Sequence, residues 1–108
     1  MATLHQFTDS NFKEEVLESQ QPVLVDFTAE WCGPCHMLAP VVEKLNEEWN
    51  GAVKVGQLDI DANINTTLTY AVMGVPTLIL FKEGQPAERL MGFMRKDRIL
   101  AKLKPHLP

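Results

Sequence analysis

Val23-Leu24-Val25-Asp26-Phe27-Thr28-Ala29-Glu30-Trp31-Cys32-Gly33-Pro34-Cys35 carries two signals in one short stretch. Val23 to Phe27 is apolar on both parities, as expected of a strand covered on both faces. Cys32 and Cys35 then stand three positions apart, with Pro34 suited to the first turn of a helix that starts there. A Cys-x-x-Cys pair that follows a buried strand and opens a helix points to thiol redox chemistry. Residues i and i+3 share a helix face, so both sulfurs can meet in a small ring that opens and closes more readily than a structural bridge. So short a loop hardly constrains an unfolded chain, which makes stapling the weaker purpose. Cys32 is expected at the helix N-terminus, where unpaired N–H groups and the positive dipole end favour a thiolate. Cys35 lies one turn in and is expected to be more buried. Cys32 is therefore the candidate attacking nucleophile and Cys35 the candidate resolving thiol.

Other chemistries fit less well. Two unreactive buried cysteines at this spacing and in this context would be a coincidence. Cys32-Gly33-Pro34-Cys35-His36 matches the haem-attachment pattern Cys-x-x-Cys-His literally, and methionines are available as a distal ligand. Haem attachment generally follows export, however, and no export signal is visible. Zinc needs four ligands. Cys32, Cys35 and His36 supply three, and neighbouring helix residues diverge by about 100°. His36 reads more simply as a solvated helix residue. No metal and no resident cofactor are expected; neither a G-x-G-x-x-G nor a P-loop pattern is present.

Working outward, Leu38, Val41, Val42, Leu45 and Trp49 form the apolar face of the helix after the cysteines, with Glu43, Lys44, Glu47 and Glu48 outside. Pro40 should kink that helix and Gly51 should close it. Upstream, Leu4 to Phe7 is a short strand. Asp9 can cap a helix carrying Phe12, Val16 and Leu17, which Pro22 ends. Downstream, Ala52 to Leu58 reads as a strand, Asn63 to Tyr70 as a weak Thr-rich helix, and Pro76 to Phe81 as a strand. Lys82 to Gln85 turns into an antiparallel strand over Ala87 to Met91. Lys96 to Leu103 carries a helical stripe of Ile99, Leu100 and Leu103 without a good N-cap. The order βαβαβαββα implies a mixed sheet with helices on both faces.

The 108 residues suit one domain over 1–108. Apolar residues make up 45%, charged residues 22%, and the net charge is −4. Without a basic patch, nucleic acid is not an expected partner. No apolar run approaches the roughly 18–20 residues of a membrane span. Met1-Ala2-Thr3-Leu4-His5-Gln6-Phe7 lacks the basic and apolar regions of a signal peptide, so the expected compartment is the cytoplasm.

Several stretches resemble the thioredoxin family: Val25-Asp26-Phe27, Ala29 to Cys35, Leu38-Ala39-Pro40, Leu58-Asp59-Ile60-Asp61, Val75-Pro76-Thr77, Phe81-Lys82-Glu83-Gly84 and Gly92. They cover nearly the whole chain in the family's order. The resemblance implies an α/β thioredoxin fold, a central mixed sheet flanked by four helices. It implies protein-disulfide reduction, with disulfide-containing protein substrates and a thioredoxin reductase as partners. It also implies a cis Pro76 facing the cysteines and a substrate groove of Trp31, Gly33, Pro34, Gly74, Val75, Pro76 and Gly92. Val75 would pair with substrate backbone as an added strand. Plainer roles are a partly buried core aromatic for Trp31 and turn glycines for Gly74 and Gly92. Asp26 would pass protons with Cys35 through water; a carboxylate in an apolar strand is costly unless it is paired or functional. Gln57 stands where a lysine commonly partners Asp26, which leaves Asp26 desolvated without a cation and its pKa raised. Thr28, His36, Ile64 and Ala71 also depart from the common pattern, and none of these five, Gln57 included, is expected to touch the cysteines. Rival roles are a binding subunit that uses the same groove, and a disulfide oxidase or isomerase.

Overall fold

The computed structural model describes residues 4–108. The N-terminal reading rests in part on residues 1–3, which lie outside the described residues. Among the described residues, five strands form one sheet in the order β1-β3-β2-β4-β5. They are β1 His5–Gln6, β2 Val23–Thr28, β3 Lys54–Asp59, β4 Thr77–Lys82 and β5 Gln85–Met91. β3 runs parallel to β1 and β2; β4 is antiparallel to β2 and β5. The β4–β5 register slips at Leu80/Phe81, where Pro86 faces Phe81. The helices are α1 Gly33–Trp49, α2 Ile64–Thr69 and α3 Lys96–Leu103. None is long and apolar enough to cross a membrane among the described residues.

The continuous apolar run of β2 has a direct cause. Leu24 packs with Leu38, Val42 and Leu45 of α1 and with Ile99 and Leu103 of α3. Val23, Val25 and Phe27 enter a second layer with Phe7, Phe12, Val16 and Phe81. Both faces of the strand are therefore covered, and the expected βαβαβαββα order holds.

Local differences from the sequence reading have physical reasons. The first helix is a single π-type turn, Lys13–Leu17, in which Glu18 N–H reaches Lys13 O at 2.9 Å. Asp9 does not cap it. Thr8 and Asn11 bond each other at that entry, Asn11 Oδ1 accepting from Thr8 N–H at 2.7 Å. The Asp9 carboxylate instead caps α2 across the molecule, accepting from Thr66 N–H at 2.8 Å and Thr66 Oγ1 at 2.7 Å. Those bonds, the Thr66 hydroxyl's first, hold the Asp9 pKa below its ordinary value. Pro40 sits inside α1 without ending it, and α1 closes over two left-handed residues, the C-cap Asn50 at φ 45° and the expected Gly51 at φ 93°. α3 begins at Lys96 with no side-chain cap, as its sequence indicates.

Gly56 is where β1 can lie close to β3. A Cβ built there would stand 2.6 Å from His5 O and 2.5 Å from the Phe7 ring. Gly56→Ala should therefore cost about 1–3 kcal/mol, because backbone cannot yield as a flexible side chain can. A lowered urea midpoint with an unchanged slope checks this; an unchanged midpoint contradicts it.

Candidate active site

Cys32 occupies the N-cap of α1 in extended conformation, and Pro34 lies in the first turn. The two cysteines are joined as a disulfide with Cα atoms 5.3 Å apart. Cys32 Sγ accepts the Cys35 N–H at 3.2 Å and lies 3.6 Å from the Val75 carbonyl oxygen. The α1 dipole and this N–H both favour negative charge on Cys32. Burial does not separate the two sulfurs as expected: in this oxidised form Cys32 is 4% exposed and Cys35 3%. Both belong to a small cluster with Ala29, Ile60 and Val75. Their asymmetry is one of hydrogen bonding and helix position.

Facing Cys32 is the loop that leads into β4. The Val75–Pro76 bond is cis, as the resemblance implies. Thr77 Oγ1 donates to Gly74 O at 2.7 Å, and Gly92 N–H to Pro76 O at 2.9 Å. Gly92 has φ 83°, a left-handed conformation that glycine adopts without steric cost. Gly33 and Gly74 have open space where a side chain would begin. Trp31 is no core residue. It is exposed, and its Nε1–H donates to Asp61 Oδ2 at 2.8 Å.

Asp26 is buried in β2, level with Gln57 of β3 and Leu78 of β4. Its Oδ1 has no hydrogen-bond partner among the described residues. Burial pushes its carboxyl from 3.8 up to about 7, and Gln57 pulls it partly back. Lys54 is occupied elsewhere, its Nζ donating to Glu15 O at 2.9 Å. The expected rise without a neighbouring cation is therefore present.

A cleft of about 240 Å³ is lined by Cys35, His36, Ala39, Thr28, Gln57 and Asp59 among others. Thr28, His36 and Gln57, set apart from the cysteines in the sequence reading, thus share a solvent-facing wall with Cys35. His36 is exposed, its ring Nε2 2.7 Å from Glu30 O, which fits a solvated helix residue.

The thioredoxin family model matches residues 3–105. The chain belongs to the thioredoxin family. It is 44% identical to a thioredoxin of Synechocystis over 107 residues, covering 99% of this chain and 100% of that one. It is 49% identical to a thioredoxin of Rickettsia conorii, covering 85% and 88%. A Mycobacterium bovis thioredoxin is 46% identical over 94% and 87%. As a thioredoxin-family thiol–disulfide oxidoreductase, the chain reduces protein disulfides, with disulfide-containing substrates and a reductase as its general partners. Sequence reasoning missed two parts of this thioredoxin site. Asp61 holds Trp31 across thirty residues of separation; it lies in the Leu58-Asp59-Ile60-Asp61 stretch, but nothing in the sequence pairs it with Trp31. Met73, Met91 and Phe93 stand exposed around the Pro76 loop. Large apolar residues among turn glycines were the available signal.

Proposed function

We propose that residues 1–108 act as a single domain in the cytoplasm, a reducing compartment. In it Cys32 is the attacking thiolate, Cys35 the resolving thiol and Asp26 the proton acceptor. The placement of Cys32 Sγ at the start of α1, accepting the Cys35 N–H, carries this reading. Cys32 thiolate attacks one sulfur of a substrate disulfide, and the other sulfur leaves as a thiolate. Cys35 loses its proton toward Asp26 through water and attacks Cys32 Sγ. The second substrate sulfur leaves, and the Cys32–Cys35 disulfide re-forms. Two electrons pass to the substrate, and a thioredoxin reductase returns them.

Trp31, Gly33, Pro34, Gly74, Val75, Pro76 and Gly92 form the substrate groove, with the Val75 backbone as partner for an added strand. The nearness of Cys32 Sγ to Val75 O supports this, because a strand paired at Val75 brings its cysteine to the attacking sulfur. The potential of the Cys32–Cys35 couple tests the reductase role. Equilibration in glutathione buffers, read by alkylation of free thiols, should give a value more negative than that of glutathione. A more positive value would mark an oxidase or isomerase.

A further inference from the structure

We propose that Met73 and Met91 form an oxidation-sensitive rim of the disulfide site, whose conversion to methionine sulfoxide by hydrogen peroxide weakens docking of protein substrates while the cysteine couple still exchanges. The inference rests on the groove reading above. Met73 is 95% exposed and Met91 71%, whereas Met94 is partly buried against the core. Met73 lies two residues before Val75. Met91 pairs with Thr77 and precedes Gly92, which bonds Pro76. Met73 therefore stands on the segment that leads into Val75–Pro76, and Met91 at the end of the neighbouring strand β5. Residues 70–81 and 90–94 contain no Asp, Glu, Lys or Arg. A polar group created at either methionine is thus a large change to an otherwise uncharged rim.

In the disulfide form both cysteine sulfurs are bonded and almost fully covered. Peroxide consequently meets the thioethers first. The methionine sulfur attacks one peroxide oxygen, the O–O bond breaks, an S–O bond forms and water leaves. Sulfur loses two electrons and peroxide gains them. The sulfoxide is polar and chiral, and apolar substrate side chains lose favourable burial against it.

The test treats the disulfide form of the full chain with hydrogen peroxide, maps oxygen uptake by peptide mass, and then measures turnover with a dithiol as electron source. Met73 and Met91 should gain oxygen before Met94. The KM for a disulfide-linked polypeptide such as insulin should rise about three- to tenfold, while turnover of a small aromatic disulfide changes less than about twofold. In Met73→Leu/Met91→Leu, treated and untreated protein should have the same KM. Met37, also exposed but on α1, should take up oxygen, and Met37→Leu should leave the rise in place. Persistence of the rise in the double variant, uptake at both rim residues with unchanged KM, or earlier oxidation of Met94 would each overturn the proposal. Failure of the groove reading looks different: untreated Gly74→Glu, which places a charged side chain in open space beside Val75, would keep the parent's KM for the polypeptide.

Discussion

Cys35→Ser should stall on its substrates as a covalent mixed disulfide, and Cys32→Ser should lose disulfide reduction by at least about a thousandfold. Removing the resolving sulfur leaves the first attack intact, so the adduct can leave only by reaction with an outside thiol. Removing the attacking sulfur leaves Cys35, one turn inside α1, without the N-cap position. In the oxidised form the two sulfurs are almost equally covered, so the distinction rests on charge stabilisation. The Cys35 N–H and the helix dipole both act on Cys32 Sγ. Alkylation of the reduced protein near neutral pH, followed by peptide mapping, should label Cys32 first. Faster labelling of Cys35 would reverse the assignment, and so would adduct accumulation in Cys32→Ser.

Asp26→Leu should stabilise the fold at pH 7 and slow the resolving step. The carboxyl titrates near 7 in the fold against 3.8 in the unfolded chain, because burial penalises its charge. Between those values the native state holds a proton that the unfolded state has released. Stability therefore falls as pH rises from 3.8 to about 7, and the full penalty persists above. Leucine removes the penalty, with an expected gain of about 1–4 kcal/mol at pH 7 that fades toward zero at pH 4. Denaturant midpoints at both pH values measure it, and Asp26→Asn separates charge from shape. A gain undiminished at pH 4 would exclude the charge as its cause. A loss at pH 7 would make Asp26 a satisfied structural residue. In the Cys35 step, losing the proton acceptor should slow resolution about tenfold or more.

Readings carried by local repetition were legible in the sequence. β2 showed its double burial through an apolar run, α1 through its stripe from Leu38 to Leu45, and the cysteine pair through its spacing and position. Readings that depend on distant partners were not. Asp9 has the composition of a local cap, yet its acceptors find their donors at Thr66, fifty-seven residues away. Asn50 joins Gly51 in ending α1 because asparagine also tolerates the left-handed region. Asp26 lay between these cases. Its burial followed from the strand pattern and its raised pKa from that burial, with Gln57 bringing a hydrogen bond but no cation to oppose it. The shared cleft of Cys35, Thr28 and Gln57 needed the register of β3 beside β2 and the start of α1. The near-equal burial of Cys32 and Cys35 was not legible, because their cover comes in part from Ile60 and Val75, distant in sequence.

The two sheet borders bear on how such a molecule survives its own clients. Oxidised or partly unfolded chains arrive with unpaired backbone, and any open strand edge would invite them to pile on. Among the described residues one border, β1, offers only His5–Gln6. The other, β5, breaks its ladder around Pro86 and carries Glu88 and Arg89. Short length, proline, register slip and charge are the devices that blunt edge-to-edge growth. Under the proposed groove, backbone pairing is thereby left to the Val75 loop, whose carbonyl lies beside Cys32 Sγ. The architecture separates transient capture from aggregation by leaving the sheet borders poor templates.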